Sequence, residues 1–200
     1  MNYTFKENEG ARTLLLFHGT GGSPSDLIPL AKALDDSANI IAFEGDVNER
    51  GLKRFFKRRA PGVFDLDDLR TRSKNIKKII EDIVDKHELD GSKLVAIGYS
   101  NGANLITSTL FSSQNLFEAV FLHHPMLPYE GEAMLKQEGL QAFISAGVND
   151  PICPPNHTEK IESLLKNASS SPVVFWHEAG HTLTHEEVEA AKQFYQTNLK

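Results

Sequence analysis

Gly98-Tyr99-Ser100-Asn101-Gly102 constrains this chain more than any other stretch. An apolar run, Lys93-Leu94-Val95-Ala96-Ile97, leads into it, and Ala103 to Phe111 follow with few helix breakers. A G-x-S-x-G set between a strand and a helix makes a strained turn that lifts a serine hydroxyl above the edge of a sheet. Glycine is needed at both flanks because side chains at Gly98 and Gly102 would crowd each other or the neighbouring strand. The pattern is short, and a βα turn whose serine caps the helix would carry the same residues. A nucleophilic reading therefore depends on an acid and a histidine following downstream, in that order.

The rest of the chain alternates between strand-like and helix-like stretches. Residues 2–6 read as a short edge strand. Thr13-Leu14-Leu15-Leu16-Phe17 is continuously apolar, as expected of a strand buried on both faces. His18-Gly19-Thr20-Gly21-Gly22 closes it with a glycine-rich loop, and a helix carrying Leu27, Ile28, Leu30, Ala31 and Leu34 on one face follows. Residues 38–43 form the next strand. Residues 44–64 read as a long irregular segment holding glycines, a proline and the basic cluster Lys53-Arg54-Phe55-Phe56-Lys57-Arg58-Arg59; a loop of that length in a compact domain is usually functional. Asp65 caps a long helix with Leu66, Leu69, Ile76, Ile79, Ile80, Ile83 and Val84 as its buried stripe. Strands at 119–122, 142–146 and 172–176 follow, with a helix over about 155–167. Thr184 and Glu187 form a capping box for the last helix. Such alternation predicts an α/β fold in one domain over residues 1–200: a mostly parallel central sheet, helices on both faces and no large lid.

Ligands of open α/β sheets bind beyond the carboxyl ends of the strands. His18-Gly19-Thr20, Ser100, His123-His124, Asp150 and His181 all stand at such ends. Serine, acid and histidine occur in the chain order of a hydrolytic triad, with Ser100 as nucleophile, Asp150 as orienting acid and His181 as base. Taken singly, Asp150 before Pro151 could open a turn and His181 could be a loop histidine. Placed at strand-end loops in the right order, the three support one another. His185 competes for the role of base, but a helix capped at Thr184 puts it on the first helical turn, pointing away from the elbow; His177 lies closer to its strand. The N–H of Asn101 and the N–H of Thr20 are the candidate donors to a developing oxyanion.

Other chemistries find little support. The formal net charge of −6 and the lack of a basic stripe argue against nucleic acid. One cysteine, Cys153, excludes an intramolecular disulfide and a cysteine-based zinc site. The glycine-rich loop lacks the Lys-Ser/Thr of a nucleotide-binding loop. No cofactor and no metal are expected. The first residues show no apolar signal region and no run is long enough to span a bilayer, so a cytoplasmic location without membrane insertion is the default expectation. Nothing in the residues sets the oligomeric state, and a homodimer stays open.

His18-Gly19-Thr20-Gly21-Gly22, Gly98-Tyr99-Ser100-Asn101-Gly102, Asp150-Pro151-Ile152 and Gly180-His181-Thr182-Leu183-Thr184 together resemble the α/β-hydrolase superfamily, and most closely its small carboxylesterase/phospholipase branch, which also holds acyl-protein thioesterases. Arg54-Phe55-Phe56 with Gly62-Val63-Phe64-Asp65 is similar to bacterial carboxylesterases associated with hydroquinone and quinone stress. The resemblance spans about residues 10–195. It implies an α/β-hydrolase fold, the triad Ser100, Asp150 and His181, an oxyanion hole at Thr20 and Asn101, and cleavage of a small-molecule ester through an acyl-enzyme. A thioesterase or lysophospholipase using the same triad, or a silent hydrolase fold that binds a small ligand, are the alternatives. Phe55, Phe56, Phe64, His124, Met126 and Leu127 are the candidate pocket residues. The phenylalanines could equally be core, the basic cluster a solvated face, and His124 a satisfied loop histidine.

Overall fold

The computed structural model describes residues 1–60 and 62–200; Pro61, read above within the irregular segment, lies outside them. Eleven strands occur among the described residues: β1 Asn2–Lys6, β2 Thr13–Phe17, β3 Asn39–Glu44, β4 Val47–Glu49, β5 Leu52–Arg54, β6 Arg58–Ala60, β7 Val63–Phe64, β8 Leu94–Tyr99, β9 Ala119–His123, β10 Gln141–Gly147 and β11 Ser171–His177. The α-helices are α1 Ile28–Leu34, α2 Leu66–Lys86, α3 Asn101–Leu110, α4 Pro155–Asn167 and α5 His185–Asn198.

Seven strands form the central sheet in the order β1-β3-β2-β8-β9-β10-β11. Only β1 runs antiparallel, at the edge against β3; the other pairings are parallel. Side chains of β2 alternate between two cores. Leu15 and Phe17 pack with residues of α2, α3 and α4, whereas Leu14 and Leu16 pack with α1 and α5. An apolar run buried on both faces has this consequence, because successive side chains point to opposite sides. The chain winds outward from β2 to β3 and then crosses to β8 on the other side of β2. The strand order reverses between β2 and β8, where open α/β sheets form their ligand crevice. The loop after β2 and Ser100 after β8 flank that point.

Two expectations are corrected. Residues 44–60 and 62–64 are not irregular: they build two small antiparallel hairpins, β4–β5 and β6–β7. Their strands are two or three residues long, too short to leave a readable alternation in the sequence. Leu66 is also not part of the buried stripe of α2: it lies in the first turn and is 40% exposed. Ser73 takes a place in the stripe instead, its hydroxyl donating to the Leu69 carbonyl at 2.8 Å and lying 2.5 Å from Ser108 Oγ. Asp65 caps α2 through the Asp68 N–H, and both bonds of the Thr184–Glu187 capping box form at α5.

Among the described residues, no helix is long and apolar enough to cross a membrane.

Candidate active site

The turn after β8 is tight in the way its glycines require. A Cβ at Gly98 would lie 2.6 Å from Ala103 N, and one at Gly102 would lie 2.0 Å from the Phe17 carbonyl oxygen of β2. Ser100, between them, has φ +50° and ψ −109°, a conformation that L-residues avoid and that costs on the order of 1–3 kcal/mol. Its N–H donates to the His123 carbonyl at 2.8 Å, which ties the strained residue to β9.

His181 comes from the loop after β11. Its Nε2 lies 3.0 Å from Ser100 Oγ and its Nδ1 2.7 Å from Asp150 Oδ2. The Tyr99 hydroxyl donates to the His181 carbonyl at 2.8 Å and fastens this loop to the elbow. Burial first, then the nearby charges of Glu187 and Asp150, push the Tyr99 phenol up to about 12, so the hydroxyl keeps the proton it donates. The loops carrying the acid and the histidine meet closely: a Cβ at Gly147 would fall 2.3 Å from the Gly180 carbonyl.

Asp150 is held by four donors. Oδ1 accepts the N–H groups of Ile152 and Cys153 at 2.7 and 2.9 Å, and Oδ2 accepts His181 Nδ1 at 2.7 Å and His124 Nδ1 at 3.0 Å. Burial alone would raise its carboxyl, but these hydrogen bonds outweigh it and hold the group below the usual carboxylate range. His185 is exposed on the first turn of α5. His177 points inward, its Nε2 3.4 Å from Glu187 Oε2.

The loop after β2 is fixed by a buried neutral histidine. His18 Nε2 accepts the Gly45 N–H at 3.0 Å, so its proton sits on Nδ1 and is donated to the Gly19 carbonyl at 2.6 Å. Burial holds the His18 pKa below the ordinary value. Thr20, from this loop, and Asn101 line one cleft with Ser100 and His181. Asn101 is the first residue of α3, where N–H groups have no partner within the helix and face the positive end of its dipole. Its side-chain oxygen is committed elsewhere, accepting the Phe55 N–H at 2.7 Å.

The cleft has a volume of about 350 Å³ and includes Phe64, Met126, Arg54 and Arg58 among its lining residues. Four of the candidate pocket residues lie elsewhere. Phe55 and Phe56 are fully buried core: Phe55 packs on Phe17 and His18, and Phe56 edge-on behind Phe64. Leu127 turns into the core and the far side of the 126–133 loop, where its N–H donates to His157 Nδ1 at 3.1 Å. His124 is fully buried behind Asp150. The basic cluster is not uniformly a solvated face either. Arg54 is buried, donating to Thr20 Oγ1 at 2.5 Å and to the Phe56 carbonyl at 3.2 Å. Glu49 sits between Arg54 and Arg58, 3.4 and 2.9 Å away. Burial and the Arg58 charge bring the Arg54 guanidinium down to about 10, which leaves it charged at neutral pH.

Behind Asp150 lies a polar cluster that sequence reasoning missed. Glu187, fully buried, accepts His123 Nδ1 at 2.6 Å and the Ser145 hydroxyl on Oε1, and the Thr184 N–H at 3.3 Å on Oε2. Burial opposes its ionisation, but the bonds from His123 and His124 prevail and hold it far below the usual range. The capping-box pattern accounted for Glu187 as a helix cap, which hid its second role. The signal that could have found it is the pair His123-His124 at a strand end, two polar rings on a buried sheet. In the groups His124, Asp150 and His181, and His124, His177 and Glu187, the ring nitrogens and carboxylate oxygens lie within 4.8 Å of one another. Both carboxylates in these groups are already engaged by imidazole donors.

Residues 40–198 match the model of the dienelactone hydrolase family. The Bacillus subtilis (strain 168) protein named "Putative hydrolase MhqD" is 37% identical over 195 residues, covering 98% of each chain. A carboxylesterase of Bacillus cereus superposes with a TM-score of 0.97 at 40% identity, over 100% of this chain and 95% of that one. A structure of YahD with malic acid superposes with a TM-score of 0.93 at 31% identity over 98% of both.

Proposed function

The chain belongs to the dienelactone hydrolase family, and on that premise we propose that it is a serine hydrolase that cleaves carboxylic esters of small or medium size. That family lies within the α/β-hydrolase superfamily expected from the motifs, under another name than the carboxylesterase/phospholipase branch they resemble. The observation that carries the proposal is the continuous chain of contacts from Ser100 Oγ through His181 to Asp150, at 3.0 and 2.7 Å.

Each residue then has one task. Serine is a weak nucleophile at neutral pH, so His181 Nε2 takes the Ser100 proton as Oγ attacks the ester carbonyl. Asp150 keeps the other ring proton on Nδ1, which leaves Nε2 free to accept, and stabilises the imidazolium that forms. The tetrahedral oxyanion is received by the N–H groups of Asn101 and Thr20; one such donor is worth about 10²–10³ in rate. His181 returns its proton to the leaving alkoxide, and water then repeats the sequence on the acyl-Ser100 ester.

The cleft favours small substrates. A volume of about 350 Å³ is near the low end for drug-sized ligands, which accords less well with a long acyl chain. The Bacillus cereus carboxylesterase, at 40% identity, also supports an ester over a thioester or lysophospholipid. Arg54 and Arg58 share one carboxylate, Glu49, and leave the wall with a positive surplus. Esters carrying an acidic group suit that wall, and YahD, with its malic acid, is a relative seen with an anionic small molecule. The test is a panel of short and long p-nitrophenyl esters beside acyl thioesters. Turnover of short esters is expected, and a preference for long-chain thioesters would replace this reading with the thioesterase one.

A further inference from the structure

His124 is fully buried, and the hydrolytic sequence above gives it no task. It follows β9 with φ +54°, a left-handed backbone held by its N–H bond to the Ser145 carbonyl at 2.8 Å. Its ring lies between two carboxylates. Nδ1 is 3.0 Å from Asp150 Oδ2, the oxygen that also receives His181, and Nε2 is 3.4 Å from Glu187 Oε2. The remaining titratable neighbours are His177 of β11, His181 of the following loop and Tyr99 of β8, with ring centroids at 5.2, 4.9 and 5.7 Å. His123, adjacent in the chain, turns to Glu187, and the Cys153 thiol donates to the His124 carbonyl at 3.2 Å.

An ionised carboxylate only accepts hydrogen bonds, and a neutral imidazole has one N–H. A neutral ring here would present a lone pair to one of two buried anions. A protonated ring donates to both and offsets part of their charge. We propose that His124 is held as an imidazolium bridging Asp150 and Glu187, and that it is a positioning residue that fixes Asp150 and opposes the charge His181 gains when it takes the Ser100 proton. Burial alone would favour the neutral ring, but the bonds and charges of Glu187 and Asp150 outweigh it and raise the His124 pKa above the ordinary histidine value. The link to His181 follows from sign. A cation 4.9 Å from the His181 ring opposes protonation of that ring and partly cancels the pull of Asp150.

The effect on rate rests on the hydrolase reading; the bridge does not, and two measurements keep them apart. Nitrogen-15 histidine spectra of the unaltered protein should show both His124 nitrogens protonated at pH 7, above the ordinary histidine value. A single N–H on His124 at pH 7 overturns the proposal whether or not the protein cleaves esters. In His124→Gln, the acid limb of kcat/KM should move to higher pH by about 0.5–2. A role confined to packing would lower kcat without moving the limb, and a limb that stays or moves down contradicts the proposal. If His124→Gln does not fold, Glu187→Gln serves instead. Removing that anion should make His124 lose a proton at lower pH than in the unaltered chain, and an unchanged His124 titration counts against the bridge.

Discussion

Gly102→Ala is a one-methyl change whose consequences can be worked from distances. On helix propensity alone, alanine at the second position of α3 should stabilise by about 1 kcal/mol. The site reverses that sign. The added Cβ would lie 2.0 Å from Phe17 O, 2.5 Å from Phe17 C and 2.7 Å from Phe17 Cβ, and the first two are backbone atoms of a central strand. To reach ordinary contact, α3 and β2 must separate by more than about 1 Å. Overpacking of this kind costs about 1–3 kcal/mol and sometimes more, so a net loss of about 2 kcal/mol is expected, or about 4–8 °C in Tm at this chain length. Activity should suffer more than stability. Ser100 and the Asn101 N–H move with the helix start, and a displacement of about 1 Å costs about 10²-fold in rate. Gly91→Ala is the control, since its Cβ meets nothing nearer than Val84 Cγ1 at 3.5 Å. Thermal unfolding and kcat on a short ester, measured for both variants, give the comparison. A Gly102→Ala protein with an unchanged Tm and kcat would refute the description of the elbow pressed against β2.

Three further outcomes are expected. His181→Ala should lower kcat/KM by about 10⁴-fold or more, as when a triad member is lost, whereas the exposed His185→Ala should change it by less than about tenfold; circular dichroism should show both variants folded. Esters bearing a carboxylate should show a KM about tenfold below that of neutral isosteres, the size of one charge-assisted hydrogen bond, and Arg58→Ala should close most of that gap. Glu187 is held well below its ordinary value of 4.5, so its contribution to stability is complete above about that pH and is lost as acid protonates it. Urea midpoints should therefore fall steeply below pH 4.5 in the unaltered chain and less steeply in Glu187→Gln, which should already be weaker by about 3 kcal/mol or more at pH 7.

How far the chain could be read follows from where its signals lie. Strands buried on both faces leave apolar runs, and β2, β8 and β9 stood out as neighbouring parallel strands for that reason. Capping residues bounded α2 and α5 because Asp65 and Thr184 bond the N–H groups that a helix start leaves free. Ser100, Asp150 and His181 could be grouped from the sequence because each follows a recognisable strand, and the fold brings their side chains into contact. The hairpins β4–β5 and β6–β7 were not, since strands of two or three residues carry no period. Neither was the burial of Arg54, which needs the fold to bring Thr20 Oγ1 to it across 34 positions. Phe55 and Phe56 were candidate pocket walls because an aromatic pair does not say which side it faces; packing on Phe17 and Phe64 decided it. The Glu187 cluster joins β9, β10 and α5, and no local window of sequence contains all three.

The central claim is that Ser100 is a nucleophile activated by His181. A fluorophosphonate probe followed by peptide mass spectrometry tests it most directly, because the probe bonds covalently to an activated serine and not to an ordinary hydroxyl. The account predicts one adduct, on the peptide containing Ser100, formed rapidly in the native protein, slowed by orders of magnitude in His181→Ala and absent after denaturation. Folded protein that stays unlabelled, or carries the adduct on another residue, would contradict it.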